Sequence, residues 1–225
     1  MIRWSRKREQ AKNRGQKKAG LALELLEDRT VPTVPGLTVA AGYDVTPFAV
    51  SPSGTSQPDS IAVDASNIYV GYQNGVAKDG SDGKSSTIVQ YNIAGGVVQT
   101  FSVLGHNDGL KVDPTTHLLW ALQNEDANPN LAVINTTTKA ITLYTFDTPL
   151  AGGGFDDITF VGGKVFLSES NPANNPNNQP AVVQVTLSGT KATVTTVLLG
   201  NATATNAVHG VVGHTELARS RFHDV

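Results

Sequence analysis

The chain contains no cysteine, which excludes disulfides, thiolate catalysis and cysteine-ligated zinc. It does not exclude secretion, because a large core holds without covalent staples. Charged residues make up only 16% of the 225 positions, too few for a coiled coil. No apolar run approaches the ~18 residues of a membrane span, so no transmembrane segment is expected. Nor is there a serine nucleophile elbow, a phosphate-binding loop or a dinucleotide fingerprint. What remains is a chain long enough for one well-packed domain or two small ones. Glycine (22) and proline (11) punctuate a middle region too apolar to be disordered throughout.

The net charge of −2 hides an uneven distribution. Residues 1–20 carry eight basic side chains and one acid, whereas residues 31–225 carry eight bases and fifteen acids. A basic arm therefore precedes an acidic body that repels phosphate, and nucleic acid is not an expected partner. The arm also lacks the continuous apolar stretch of an ordinary secretory signal, because Glu24 interrupts Leu21-Ala22-Leu23 before Leu25-Leu26. Residues 16–27 have the spacing of a short amphipathic helix, which Pro32 prevents from reaching Val31.

Behind the arm, three segments repeat. Pro58-Asp59-Ser60-Ile61-Ala62-Val63, Asn107-Asp108-Gly109-Leu110-Lys111-Val112 and Phe155-Asp156-Asp157-Ile158-Thr159-Phe160 align on their aspartates, 49 and 48 residues apart. A second block aligns Ile68–Asn74 with Leu118–Asn124 and Val165–Asn171. Each unit holds four runs with strand-like alternation: 60–64, 67–74, 86–93 and 97–103, then 109–113, 117–124, 130–135 and 139–146, then 157–161, 164–170, 181–187 and 191–199. Turn-forming residues separate them, including Ala94-Gly95-Gly96, Asp113-Pro114-Thr115-Thr116, Gly162-Gly163 and Ser188-Gly189-Thr190. Four strands per repeat of this length predict an all-β protein, a β-propeller of about three complete four-stranded blades. A two-layer β-sandwich is the competing architecture.

The expected organisation is a targeting segment over 1–35, a partial β-propeller over 36–213 and an irregular tail over 214–225. Gly36–Val50 supplies strands of a preceding partial blade, and 201–213 the start of a following one. Three blades fall short of the four or more that close a ring. The propeller is accordingly expected to be incomplete, the chain being a truncated or frame-disrupted piece of a longer protein.

Two resemblances accompany this reading. Leu23-Glu24-Leu25-Leu26-Glu27-Asp28-Arg29-Thr30-Val31-Pro32 resembles the N-terminal motif of planctomycete extracellular proteins, which implies export to the cell surface or the medium. The unit PDSIAVDASNIYVGYQNG, with its looser copy HNDGLKVDPTTHLLWAL, resembles the NHL-type and gluconolactonase-like propellers. That second resemblance implies a fold and, for the gluconolactonase-like members, a divalent metal held by one Glu, two Asn and one Asp. Glu169, Asn74 and Asn124 are of those types, but they end second strands instead of beginning inner ones.

Strand direction places the loops unequally. First-to-second and third-to-fourth connections are short and share one face. The long polar stretches 75–85, 104–107, 125–129, 147–156 and 171–180 share the other, where function concentrates. Asp59, Asp108 and Asp156 begin the innermost strands on this long-loop face. Either each caps its own turn, which is the expectation, or together they hold Ca²⁺ or another divalent cation. Asp79-Gly80-Ser81-Asp82-Gly83 lacks the final glutamate of a calcium loop and reads as a turn. His106 reads as an exposed turn residue, and His209 and His214 as coincidence. The function expected is a non-catalytic extracellular propeller module without cofactor, binding a protein or carbohydrate partner on its long-loop face. The alternative is a metal-dependent lactonase or related hydrolase.

Overall fold

The structure is a computed structural model describing residues 40, 42–146, 153–170 and 180–199. The chain divides into two compact units, 1–47 and 48–225. Of the first, the described part is a turn in which the Tyr43 amide donates to the Ala40 carbonyl at 3.2 Å. The expected helix at 16–27, the motif at 23–32 and the tail at 214–225 lie outside the described residues.

The second unit is all-β, with no helix among its described residues and none long and apolar enough to cross a membrane. Twelve strands run β1 (Pro58–Asp64), β2 (Asn67–Tyr72), β3 (Ser85–Asn92), β4 (Val97–Leu104), β5 (Asn107–Val112), β6 (Leu119–Gln123), β7 (Asn130–Ile134), β8 (Ile141–Phe146), β9 (Phe155–Val161), β10 (Lys164–Glu169), β11 (Pro180–Ser188) and β12 (Lys191–Leu199). They form three antiparallel meanders of four strands. The first is a sheet by itself, β1-β2-β3-β4. The other two join in one eight-stranded sheet, β5-β6-β7-β8-β12-β11-β10-β9. Their junction is a short parallel contact in which Lys191 and Ala192 pair Thr145 and Phe146. The two ends of that sheet, β5 and β9, also pack together, so the sheet nearly closes on itself. β1 packs against β5 in the same manner. The architecture is thus propeller-like or barrel-like, and the first strands of the meanders lie side by side.

Alternation along the strands explains this stacking. Leu119 and Ala121 of β6 face one core, with Ala62, Tyr69, Ile88 and Phe101 of the first meander. Trp120 and Leu122 face a second core, with Phe155, Ile158, Leu167 and Val183 of the third. A middle meander buried on both sides needs this double apolarity, and every residue of β6 is buried. Tyr72, Val89 and Tyr91 form a third, smaller core with Ala49, Ile68 and Val70 on the far side of the first meander.

Three sequence expectations need correction. The described residues of 36–50 hold a turn and irregular chain, and no strand of a preceding blade, since the first strand begins at Pro58. The second block of the middle unit is displaced by one residue. Val63 pairs Ile68, Val112 pairs Leu119 and Phe160 pairs Val165, so Leu119, not Leu118, is the equivalent of Ile68. The cause is the β5–β6 turn. Asp113 accepts from Thr115 N–H and Thr116 Oγ1 there, and the turn spans Pro114–His117 where the other two meanders use two residues. The connection at 104–107 is also tight instead of long, since β4 ends at Leu104 and β5 begins at Asn107.

Candidate functional site: an acidic cavity where the first strands meet

Each first strand carries an irregularity at its repeated aspartate. Between the pairs Pro58–Tyr72 and Ile61–Val70, β1 holds one residue more than β2. β5 does the same between Asn107–Gln123 and Leu110–Ala121. In β9 the extra residue is Asp156 itself, between the pairs Ser168–Asp157 and Glu169–Phe155. An extra residue bends its strand and re-aims the side chain it carries. Asp59, Asp108 and Asp156 consequently leave the sheet register and line one cavity of about 540 Å³.

Glycine lets the walls close. A Cβ on Gly109 would collide with the backbone carbonyl of Asp156 and meet Leu122 Cδ1 at 3.0 Å. Bare backbone there permits β5 and β9 to approach, which brings Asp108 and Asp156 together. Glu125 joins from the loop after β6. Asn124 turns the chain at a φ of +64°, and its side chain accepts the His106 amide at 2.9 Å and donates to the Asn128 carbonyl at 3.1 Å. The Gly154 amide donates to the Glu125 carbonyl. Lys78, from the long β2–β3 loop, pairs its ammonium with the Glu125 carboxylate. His106 ties that same loop down, with Nδ1 2.7 Å from the Val76 carbonyl. It is buried, not the exposed turn residue expected from sequence.

One carboxylate oxygen each from Asp108, Glu125 and Asp156 lie within 4.8 Å of one another. Asp108 is half-buried as a residue, but its carboxylate is buried, and its Oδ2 is closed to solvent without a hydrogen-bond partner. Asp59 stands at the exposed rim. Gln73, Ser60 and Asp157 complete the polar lining. Five acids thus face a single lysine. Burial, reinforced by Glu125, Asp156 and Asp59, pushes the Asp108 carboxyl up to about 9. Burial and then Glu125 raise Asp59, partly offset by His106 and Lys78. The hydrogen bond to Glu125 raises Lys78.

The structure therefore brings the three repeated aspartates to one cavity and adds Glu125. The sequence placed Glu125 only in a polar loop, and its one legible signal was its position directly after the strand-ending Asn124. The turn-capping role expected of the aspartates is not what Asp59 and Asp108 do, since among the described residues no backbone N–H donates to either. Capping falls to other residues: Asp79, Asp82, Asn92, Asp113 and Asn135 each accept amides of their own turns. Asp79 and Asp82 sit in the DGSDG stretch, which is a turn as expected. Asn74 is committed elsewhere, accepting from the Ser56 amide at 3.0 Å and donating to Thr87 Oγ1 at 2.9 Å. Glu169 is buried in the strand pairing opposite Phe155 and does not line the cavity. The Glu/Asn/Asn/Asp set implied by the gluconolactonase resemblance is accordingly not assembled from Glu169, Asn74 and Asn124. His209 and His214 lie outside the described residues.

No protein-family model matches the chain, and no curated protein is similar to it. Among solved structures it is similar to Kuenenia stuttgartiensis hydrazine synthase, at 12% identity and a TM-score of 0.45. The similarity covers 69% of this chain and 38% of that one, so the chain spans well under half of that protein's length.

Proposed function

We propose that the protein is a non-catalytic binding module of β-propeller type, in which each four-stranded meander is one blade. Its long-loop face meets a protein or carbohydrate partner, and the acidic cavity on that face recognises positive charge. The observation that carries this reading is the lining of the cavity by five carboxylates and one ammonium. Such a recess with low-dielectric walls concentrates cations. The hydrolase alternative is not adopted, because Asn74 and Asn124 spend their side chains on the chain's own loops. The motif at 23–32 is read as an export signal, which fractionation of the source cells tests directly.

The cavity reading is tested by calorimetry in the presence of chelator. Spermidine should bind, more weakly as salt is added, and Asp156→Asn should lower its affinity severalfold. Absence of spermidine binding, or binding indifferent to Asp156→Asn, refutes the assignment.

A further inference from the structure

We propose that Asp108, Glu125 and Asp156 form a binding site for a divalent cation of the hard, oxygen-preferring kind, with Ca²⁺ the best fit. This rests on reading the cavity as a site for positive charge and names the charge it takes. Two independent observations meet here. The first is the convergence of three carboxylate oxygens, from two strands and one loop, within 4.8 Å. The second is the buried Oδ2 of Asp108, which has no hydrogen-bond partner. A buried carboxylate oxygen that no donor of the walls reaches is costly; in the metal-free protein a proton held between Asp108 and Asp156 relieves it, and a divalent cation would displace that proton and satisfy both carboxylates.

The donor set favours one kind of ion. Ca²⁺ accepts carboxylate oxygens at about 2.3–2.6 Å in a flexible shell, whereas Mg²⁺ at about 2.1 Å demands octahedral order and keeps most of its waters. Three carboxylates drawn from two strands and a loop, with oxygens within 4.8 Å of one another, suit the more permissive ion. Three protein carboxylates leave further coordination positions for water or for an oxygen of a bound partner. Lys78 is the competitor. Its ammonium sits on Glu125, and its side chain is 59% exposed, so it is free to swing out when an ion enters. The loop bearing Lys78 thereby becomes linked to occupancy of the site.

The test uses the full chain, freed of metal by chelator and titrated calorimetrically with CaCl₂, MgCl₂ and MnCl₂ separately. One Ca²⁺ per chain is expected, with a Kd of about 10⁻⁵–10⁻³ M and weaker binding of Mg²⁺. Asp108→Asn, Glu125→Gln and Asp156→Asn should each weaken Ca²⁺ about tenfold or more. Lys78→Met, which removes the competing charge, should tighten it several-fold. Asp113→Asn, in a distant turn, should change nothing. Melting curves in chelator establish that each variant is folded, and the titration of the unaltered chain needs no variant. Failure of all three ions to bind the unaltered chain and Lys78→Met at about 10 mM overturns the proposal. So does Ca²⁺ binding that survives both Glu125→Gln and Asp156→Asn. If the ions fail while spermidine binds and depends on Asp156, the metal assignment falls and the cation-recognising cavity stands. If spermidine fails as well, both fall.

Discussion

Replacing Asp108 by asparagine should make the metal-free protein more stable near neutral pH, against the usual direction for a substitution at a buried position. The Asp108 carboxyl is raised from 3.8 to about 9, by burial first and then by Glu125, Asp156 and Asp59. A carboxyl whose folded value lies above its unfolded one keeps a proton that the unfolded chain releases. Stability therefore falls as pH rises from about 4 to about 9 and levels off beyond. At pH 7 roughly three units of that window have been crossed, and at about 1.4 kcal/mol per unit the ceiling is roughly 4 kcal/mol. The facing groups share the strain: Asp156, Glu125 and Asp59 carry like charge, while Lys78 and His106 oppose it. About 1–3 kcal/mol is accordingly expected for the single substitution. For a chain of this length that is a rise of about 2–10 °C in melting temperature. The assay is thermal unfolding in chelator at about pH 4 and pH 7.5, the gain appearing only at the higher pH. A loss of stability of similar size at both would show that Asp108 is held by hydrogen bonds that asparagine breaks, and would refute the electrostatic account.

Three further outcomes follow from packing and burial. Ile158 is fully buried and its repeat-equivalent Ile61 is 65% exposed, so Ile158→Ala should cost about 2–5 kcal/mol and Ile61→Ala under about 0.5, measured by urea unfolding. Gly109→Ala should cost about 1–3 kcal/mol or more, because its methyl meets the Asp156 backbone and Leu122; an unchanged melting temperature would mean that β5 and β9 do not approach so closely. Glu169 is 1% exposed and burial raises its carboxyl to about 7, so stability falls between about pH 4.5 and 7. Glu169→Gln should therefore stabilise by up to roughly 3 kcal/mol at pH 8 and not at pH 4, as pH-resolved melts would show.

The strand plan was legible because each meander obeys a period of two between strong turn signals. The observed β2, Asn67–Tyr72, and β12, Lys191–Leu199, fall where alternation put them. The pairing of β8 with β12 was not legible, since a two-residue parallel contact between outer strands leaves no pattern of its own. The one-residue displacement of β6 was hidden for another reason. Leu118 and Leu119 are both apolar, and only the geometry of the turn at Asp113–Leu118 decides which of them enters the strand. At the site, the repeated aspartates stood out by their period. Glu125 did not, because the repeat does not carry an acid there: the register of β2 and β6 against their first strands puts Asn74 at that position in the first meander.

That last asymmetry is the reason the site lies where it does. A residue repeated in three meanders is equal in sequence but not in surroundings. Asp59 lies in β1, the end strand of the first sheet, and it is exposed at the rim. Asp108 belongs to the middle meander, with a neighbour on each side, and its carboxylate is buried. Isoleucine and leucine at the next inward position record the same gradient, from 65% exposure at Ile61 to 3% at Leu110 and none at Ile158. The bulge that re-aims each aspartate is common to all three strands, so it sets the direction of the side chains without making a site. What makes one is the combination of that direction with the seam between the second and third meanders. There Gly109 admits close approach, and the loop after β6 adds a carboxylate that the repeat does not supply.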